Sequence, residues 1–385
     1  MKIGIAKEIE YRERRVALIP DAIAKLTKQG LEIWVESGLG EGAFFDDAAY
    51  VEAGANVVAD KETLWKEVDI LLKVGKPTGE ELTLLTPETV LISFLNPLGE
   101  PQTIQTLADR QITAFSMELI PRTSRAQSMD ALSSQAGVAG YKAVLIAAAS
   151  LPKFFPMLTT AAGTIRPAKV FVMGAGVAGL QAIATAKRLG AVVEAFDIRP
   201  AVKEEVQSLG AKFVEVKLAE DTVAAGGYAK EISEDSKKRS QELVAEHVKN
   251  ADVVITTAQV PGKRAPLLVT EDMVQAMKPG SVIVDLAAEQ GGNCAVTEAG
   301  RDVVYDGVTV IGPINLPASM AVHSSQMYAK NISTLLQYLV KDGELVLDFE
   351  DDIINGTCVA HGGEVRNQRV KEMLTLTSHQ SPVTN

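Results

Sequence analysis

Three glycines spaced as G-x-G-x-x-G give the clearest chemical signal in the chain: Gly174, Gly176 and Gly179. An apolar run typical of a buried strand, Val170–Met173, leads into them, and a helical pattern through Leu189 follows. In this context the first glycine permits a tight turn, the second admits a pyrophosphate, and the third lets helix and strand pack closely. The motif therefore predicts a dinucleotide site at a helix N-terminus. The alternative is a glycine-rich turn that binds nothing.

A carboxylate follows the next predicted strand, Val192–Phe196, and indicates which dinucleotide binds. Asp197 follows Gly179 at close to the spacing of about 20 residues that this fingerprint requires. Such a carboxylate accepts hydrogen bonds from the adenosine ribose and repels a 2′-phosphate, so NAD(H) is favoured over NADP(H). Arg199 could pair with a phosphate, which leaves NADP(H) as the alternative.

Two loops after later strands are predicted to reach the cofactor, because ligands of open α/β sheets lie at the carboxyl ends of the strands. One loop contains Gly227 and Tyr228 and is expected to act as a lid. The other runs from Thr256 to Lys263 and contains Gln259. A plain surface turn is the alternative for each.

The elements that must position these residues form two series of alternating strands and helices. Strands that alternate with helices imply a mostly parallel sheet covered on both faces. We therefore expect an α/β fold with two Rossmann-like, doubly wound parallel-sheet domains separated by a cleft. The predicted strands are Ile3–Ala6, Glu32–Val35, Asp69–Val74, Val90–Leu95 and Ile112–Ser116, then Val170–Met173, Val192–Phe196, Asp252–Thr256, Ser281–Asp285 and Val308–Ile311.

Long helices are expected at the joins between the domains. One, roughly Ser128 to Ser150, links the first series to the second, and another, near Ala318–Val340, returns the chain to the first domain. The stretch Leu151–Arg166 contains prolines and glycine and is interpreted as a connection. The prediction is a discontinuous first domain, 1–130 plus 325–385, and an NAD(H)-binding domain, 131–324.

Composition excludes several other classes of protein. The 385 residues carry a net charge of −11, whereas a nucleic-acid-binding protein needs a basic face. The two cysteines, Cys294 and Cys358, form neither a disulfide framework nor a metal-ligand spacing, so no metal is expected and a reducing cytoplasm fits best. No apolar stretch is long enough to span a bilayer, and direct membrane insertion is not expected.

Several longer stretches carry a family resemblance along almost the whole chain. The chain resembles the alanine dehydrogenase and NAD(P) transhydrogenase superfamily. Within it, residues 121–135, 179–191 and 225–230 are similar to the transhydrogenase branch. The stretches shared with the superfamily as a whole are Gly4–Glu8, Arg15–Ala17, Leu72–Val74, Pro261–Pro266, Met277–Asp285 and Gln290–Gly292.

The resemblance implies roles for individual residues. It places four side chains, which can hydrogen-bond or pair with one another, around the nicotinamide and its ribose: Arg122, Gln127, Asp130 and Ser133. It places a second set on the rest of the cofactor: Val177, Asp197, Ile198, Arg199, Gly227 and Gln259. A structural ion pair is the alternative for Arg122 and Asp130.

A general acid/base is hard to find, and this decides between branches of the family. The alanine dehydrogenase branch uses a lysine and a histidine at positions that here are Gly75 and Asn96, and Glu289 replaces an expected aspartate, although Arg15 remains. Lys73 and Lys76 are alternative bases. Of the four histidines, only His323 is expected near the cleft; His247, His361 and His379 are expected at the surface.

Hydride transfer between two nicotinamides requires no proton to move, only two rings held close, aligned and shielded from water. The chain has no second fingerprint, so NADP(H) must arrive on a partner. The resemblance thus implies the NAD(H)-binding component of a proton-translocating transhydrogenase. It also implies a homodimer, with NADP(H)-binding and membrane-spanning partner subunits that hold it at the inner (plasma) membrane. An amino-acid dehydrogenase of the alanine or saccharopine type, or a non-catalytic NAD(H)-sensing module, are the alternatives.

Overall fold

The structure is a computed structural model that describes residues 1–215 and 234–380; of residues 234–240 and 377–380 it describes the backbone alone. It contains two compact units. The first unit comprises Met1–Gln135 and Ala318–Asn385, and the second comprises Ala136–Pro317. The sequence pattern predicts the corresponding joins at 130/131 and 324/325. The predicted lid residues Gly227 and Tyr228 lie outside the described residues.

The N-terminal part of the first unit is a regular strand–helix alternation, which ends in the long helix α6. Its strands are β1 (Lys2–Ile5), β2 (Glu32–Glu36), β3 (Asn56–Val58), β4 (Ile70–Leu72), β5 (Val90–Ser93) and β6 (Thr113–Ser116). Its helices are α1 (Pro20–Thr27), α2 (Asp47–Glu52), α3 (Lys61–Glu67), α4 (Gly79–Leu84), α5 (Pro101–Asp109) and α6 (Ala131–Ser150).

The second unit repeats this alternation after a β-hairpin. Its strands are β7 (Leu158–Thr160), β8 (Gly163–Ile165), β9 (Lys169–Met173), β10 (Val192–Phe196), β11 (Lys212–Val214), β12 (Val253–Thr256), β13 (Val282–Asp285), β14 (Asp302–Tyr305) and β15 (Val308–Ile311). Its helices are α7 (Val177–Arg188), α8 (Lys203–Ser208), α9 (Glu234–Asn250) and α10 (Glu271–Gln275).

The C-terminal part of the chain completes the first unit. It contains α11 (Ala321–Leu339), β16 (Val340–Lys341), β17 (Glu344–Leu345), α12 (Asp352–Thr357), β18 (Cys358–His361), β19 (Glu364–Val365) and α13 (Gln368–Gln380). Short 3₁₀ helices are Glu41–Ala43, Met117–Leu119, Ser124–Met129, Pro200–Val202, Ala288–Gln290 and Leu316–Met320.

The sheet of the first unit has the order β3-β2-β1-β4-β5-β6-β18-β19. The six strands from β3 to β6 are parallel, whereas β18 pairs antiparallel with β6 and β19 antiparallel with β18. Every residue of β4, β5 and β6 is buried, as expected for strands with helices on both faces. One of the two cores depends on the returning helix α11, whose Tyr328, Ile332 and Leu336 pack with residues of β1, β2 and β4.

The sheet of the second unit has the order β11-β10-β9-β12-β13-β15-β14, parallel except for β14. The chain reverses its direction of winding between β9 and β12, so the carboxyl ends of these strands form the switch point where ligands of such sheets bind. Residues of α6 and α7 cover one face, and residues of α9 and α10 cover the other.

These two sheets confirm the predicted α/β class with doubly wound parallel sheets, and each of the ten predicted strands corresponds to an observed one. The interpretation of Leu151–Arg166 as a mere connection is wrong, because β7 and β8 form a two-stranded antiparallel hairpin there. Gly163, with φ of +119°, makes the reversal that the sequence pattern did not reveal. Among the described residues, no helix is long and apolar enough to cross a membrane.

Candidate functional site

The turn after β9 has the shape that the glycine motif predicts. Gly174 has a φ of +98°, which favours glycine, and a Cβ built on it would lie 2.5 Å from Thr257 Oγ1. A Cβ on Gly179 would lie 1.8 Å from the carbonyl oxygen of Gly174, so neither glycine leaves room for a side chain. At Gly176, by contrast, the nearest atom to such a Cβ is an Arg199 nitrogen 4.0 Å away. The backbone can therefore be approached at the one glycine where a pyrophosphate must come close.

Helix α7 begins directly after Gly176, and helix α6 packs closely against its first turn. A Cβ on Gly140 of α6 would lie 2.1 Å from the carbonyl oxygen of Ala178. The first N–H groups of α7 supply the partial positive charge that stabilises an anion. Val177, the first helical residue, is 44% exposed. Gly140 thus helps to fix the position of a predicted phosphate-binding helix end, a role that sequence reasoning missed.

Asp197 lies at the end of β10, beside the glycine turn. Its Oδ2 accepts a hydrogen bond from Ala175 N at 2.8 Å, and its Oδ1 accepts one from Arg199 N at 2.8 Å. The Arg199 guanidinium adds a bidentate ion pair, from Nε to Oδ1 at 3.0 Å and from Nη2 to Oδ2 at 2.8 Å. Hydrogen bonding to Asp197 raises the pKa of Arg199. Ile198 packs partly buried against the core. The predicted acid is therefore in place, but it is already engaged.

The loop after β12 runs beside the same turn. Thr257 donates its hydroxyl to the carbonyl oxygen of Gly174 at 3.1 Å, and the exposed Gln259 donates to the carbonyl oxygen of Leu286 at 2.7 Å. The buried Asn293 fastens the loop, since it donates to the carbonyl oxygen of Ala258 at 2.9 Å and accepts from Ala258 N at 3.0 Å.

Asn293 is itself held by Asp285, a fully buried residue at the end of β13. Asp285 Oδ2 accepts from the backbone N–H of Asn293 at 2.7 Å and that of Cys294 at 3.0 Å, and from Thr297 Oγ1 at 2.7 Å. Its Oδ1 accepts from Thr256 Oγ1 at 2.9 Å. The carboxylate therefore ties the ends of β12 and β13 together and supports the Gln259 loop.

The predicted nicotinamide residues lie on one segment of the first unit, residues 122–133. Arg122 and Gln127 are exposed, and Asp130 and Ser133 are half-buried. Asp130 accepts from Ser133 N at 2.9 Å and from Ser133 Oγ at 2.6 Å, the arrangement of a residue that caps α6. Asp130 and Ser133 therefore contact each other, and their side chains order the start of α6.

Asn331 of α11 anchors this segment. Its Nδ2 donates to the carbonyl oxygen of Ser128 at 2.9 Å, and its Oδ1 accepts from Ser134 Oγ at 2.7 Å. The residue is 6% exposed. A second link comes from Arg125, which pairs with Asp351 and Asp352. These contacts come from residues far along the chain, and no local pattern in the sequence indicates them.

The carboxyl ends of β1 and β4 form the switch point of the first unit, and buried charges fill it. Lys73 Nζ lies 3.4 Å from Glu8 Oε2 and 3.5 Å from Glu81 Oε1, with only 1% of the lysine side chain exposed. Burial raises the pKa of Glu8, although Lys73 and the backbone N–H groups of Val74 and Gly75 act against it. Lys73 is thus enclosed by carboxylates rather than presented to solvent as a base.

The other positions expected to support dehydrogenase chemistry do not supply a proton carrier. Asn96 is exposed, and its carboxamide does not titrate. Lys76 pairs with Glu100. Arg15 donates from Nε and Nη2 to both oxygens of Glu13, at 2.8 and 2.6 Å, and from Nη1 to Gln135 Oε1 at 2.9 Å. Its charge is therefore neutralised by an internal carboxylate.

Three histidines have described side chains, and none faces a site as a general base. His323 is exposed on α11. The surface prediction is wrong for two others, because burial next to a sheet engages their rings. His247 is half-buried, pairs with Glu194 at 2.7 Å and stacks on Phe171. His361 is half-buried with Nδ1 2.9 Å from Thr113 Oγ1, and burial lowers its pKa. The side chain of His379 lies outside the described residues.

The described residues contain no group of three or more histidine, cysteine, aspartate or glutamate side chains suited to a metal ion. Both cysteines are buried, so neither is presented to a ligand. Glu289, which replaces the expected aspartate, accepts from Asn315 N at 3.2 Å. In the second unit the structure brings together Gly174, Gly176, Val177, Gly179, Asp197, Ile198 and Arg199, with the Gln259 loop alongside.

Comparison with family models gives two matches that cover most of the chain. Residues 4–139 match the N-terminal domain of alanine dehydrogenase/PNT, and residues 143–368 match the C-terminal domain of alanine dehydrogenase/PNT.

Individual relatives match along the same extent. An NAD(P) transhydrogenase subunit alpha protein of Rhodospirillum rubrum is 47% identical over 374 residues, which cover 95% of this chain and 97% of that protein. A solved structure of transhydrogenase from Sinorhizobium meliloti superposes with a TM-score of 0.83 at 43% identity and covers 96% of this chain and 99% of that one. Alanine dehydrogenase 2 of Staphylococcus aureus is more distant, at 34% identity over 87% of this chain and 86% of its own length.

Proposed function

The chain belongs to the alanine dehydrogenase/PNT family, and from this membership we propose that it is the NAD(H)-binding component of an NAD(P) transhydrogenase. Hydride passes from bound NADH to NADP⁺ that is held by a partner subunit. NADH becomes NAD⁺ and NADP⁺ becomes NADPH, so atoms and electrons balance without a proton at the reacting carbon. The observation that carries this choice over an amino-acid dehydrogenase is the chemistry around Gly75 and Asn96, where no titratable side chain is available to a substrate.

The residues of the second unit fit a dinucleotide. Gly176 leaves its backbone open, α7 starts immediately behind it, and Asp197 stands at the end of the neighbouring strand. Backbone N–H groups at the start of α7 bind the pyrophosphate, and Asp197 binds the adenosine ribose. Asp197→Asn is expected to weaken NADH binding by roughly 1–3 kcal/mol, the scale of a lost charged hydrogen bond. Fluorescence titration with NADH measures this change, and an unaltered affinity would remove the residue from the site.

The 122–133 segment is proposed to position the nicotinamide. Bound NADH supplies the hydride, and the side chains of Arg122, Gln127, Asp130 and Ser133 orient the ring and its ribose by hydrogen bonds. Substitution of Gln127 by alanine is then expected to slow transfer more than it weakens NADH binding, because orientation contributes mainly to the rate. Equal loss in both quantities would assign Gln127 to ground-state binding alone.

We further propose that the chain works with two kinds of partner, one that binds NADP(H) and one that spans the membrane and couples hydride transfer to proton movement. The peripheral position at the inner (plasma) membrane follows from the second partner. A homodimer is also proposed. It is supported by the apolar side chains exposed around the β7–β8 hairpin, Phe154, Met157 and Ile165. Light scattering of the purified chain tests the dimer directly.

One reconstitution experiment separates the alternatives. The chain alone is expected to bind NADH but to form no NADH from alanine and NAD⁺. Addition of an NADP(H)-binding transhydrogenase subunit is expected to give NADH-dependent reduction of NADP⁺. Turnover of alanine would instead support the amino-acid dehydrogenase, and NADH binding without transfer to any such partner would favour a sensing module.

A further inference from the structure

The carboxylate of Asp197 has every acceptor position occupied. A carboxylate offers about four lone-pair directions. Ala175 N and Arg199 Nη2 donate to Oδ2, while Arg199 N and Arg199 Nε donate to Oδ1. Each oxygen thus has one backbone donor and one guanidinium donor.

Burial prevents any further hydrogen bond to this carboxylate. The side chain of Asp197 is 6% exposed, and that of Arg199 is 19% exposed. The guanidinium also reaches to 4.0 Å from the position of a Cβ on Gly176. It therefore occupies the space between the predicted ribose acceptor and the open glycine of the turn.

We propose that Arg199 is a placeholder for the adenosine ribose, which must displace the guanidinium from Asp197 when NAD(H) binds. This inference rests on the proposed NAD(H)-binding function. The two backbone donors cannot leave, because they belong to the turn and to the end of β10. Departure of the side chain therefore opens one acceptor position on each oxygen of Asp197.

Two open positions on neighbouring oxygens match the two hydroxyls of a vicinal diol. The ribose 2′- and 3′-hydroxyls replace Nη2 and Nε without a change in the number of hydrogen bonds to Asp197. Before binding, the guanidinium keeps the buried carboxylate ionised and correctly oriented, as an unpaired buried charge would be strongly unfavourable. The placeholder lowers the affinity for the ribose, since each binding event has to break the ion pair.

Adenosine tests the proposal, because it carries the diol but no phosphate that could bind the released guanidinium. Its affinity for the whole chain is measured by competition against NADH fluorescence, in parallel with 2′,3′-dideoxyadenosine. For Arg199→Ala we expect adenosine to bind about 3- to 10-fold more tightly than to the unsubstituted chain, the scale of one recovered hydrogen bond. Dideoxyadenosine should bind both forms equally. Arg188→Ala, which removes an exposed arginine at the end of α7, is the matched control and should change neither affinity.

Unchanged or weaker adenosine binding by Arg199→Ala, with NADH binding retained, would overturn the placeholder role while the proposed function stands. Failure of the unsubstituted chain to bind NADH would overturn both. A second measurement uses the folded, unsubstituted chain. The Arg199 Nε–H proton, assigned by its loss in Arg199→Lys, should give a slowly exchanging NMR signal that disappears or shifts on addition of NADH. A signal that NADH leaves unmoved would show that the ion pair persists and would likewise refute the proposal.

Discussion

Asn331 donates its side-chain amide to the backbone carbonyl oxygen of Ser128 at 2.9 Å and so joins α11 to the 122–133 segment. The same carboxamide accepts from Ser134 Oγ at 2.7 Å, and it is 6% exposed. A buried carboxamide that satisfies two partners fixes their separation. It holds both the 3₁₀ helix Ser124–Met129 and the first turn of α6 in place.

Replacement of Asn331 by alanine is expected to lower the free energy of unfolding by about 1–3 kcal/mol, since it leaves two buried groups without their partner. If the segment orients the nicotinamide, the rate of hydride transfer should fall further than the affinity for NADH. Denaturant unfolding and transfer assays with a partner subunit measure the two effects. The exposed neighbour Lys330, replaced by alanine, is the control. A transfer rate that matches this control would dissociate Asn331 from the segment's function.

Two glycines one turn apart on α6 should respond oppositely to alanine. At Gly137 a Cβ meets nothing within 4 Å, so Gly137→Ala is expected to stabilise the helix by up to about 1 kcal/mol. At Gly140 the Cβ would lie 2.1 Å from the carbonyl oxygen of Ala178, and overpacking of this kind costs about 1–3 kcal/mol. Because Ala178 is in the first turn of α7, Gly140→Ala should also weaken NADH binding. Equal melting temperatures for the two variants would contradict the close contact between α6 and α7.

Asp285 is expected to be the most sensitive acidic residue for stability in the second unit. Its alanine variant leaves several buried donors unsatisfied, among them Asn293 N and Thr297 Oγ1, each worth about 1–3 kcal/mol. We expect a loss of at least about 3 kcal/mol in the free energy of unfolding, measured by urea denaturation. Asp302→Asn on the exposed face of β14 should change little. A small effect at Asp285 would mean that other groups satisfy these donors.

The ion pair between Asp252 and Lys153 should make stability depend on pH at the acid end. Burial raises the pKa of Asp252, but hydrogen bonds from Lys153 and from Lys169 N outweigh it, so the net shift is downward. A carboxyl with a lowered folded-state pKa stabilises the fold above its unfolded pKa, and this contribution disappears as the pH falls through the folded value. The difference in unfolding free energy between the unsubstituted chain and Asp252→Asn should thus be constant from pH 7 to about 5 and shrink below about 4. A difference independent of pH would exclude ionisation as its source.

The two cysteines are expected to be unreactive while the protein is folded. Burial raises the pKa of Cys294 to about 11 and that of Cys358 to about 12, so the reactive thiolate is scarce at pH 8. Ellman's reagent should therefore label neither thiol in buffer and both in guanidinium chloride. Rapid labelling of one thiol in buffer would identify a local opening of the unit that contains it.

The sequence predicted those parts of the fold that depend on local pattern. Strands such as β5 and β12 are short apolar runs buried on both faces, and the glycines at 174, 176 and 179 report directly on backbone space. Edge strands were missed: β3, with Asn56 exposed, and β18, which joins β6 from more than 200 residues away, lack such a pattern.

The site was predictable in its residues but not in its connections. Asp197 was identified from its position after β10, yet the spacing could not reveal that a neighbouring side chain fills its acceptor positions. Asn331 was missed because a single polar residue in an amphipathic helix has many interpretations until its distant partner is known. Gly140 was missed for the same reason, since only the packing of α7 makes it restrictive.

The order in which the two units can form during synthesis follows from the discontinuity of the first. The second unit is one uninterrupted stretch, Ala136–Pro317, and can close its sheet as soon as that stretch has left the ribosome. The first unit emerges earlier but must wait with β6 unpaired on one side and its core uncovered until α11 and β18 arrive. Nascent chains are therefore exposed to aggregation and chaperone capture through their oldest residues.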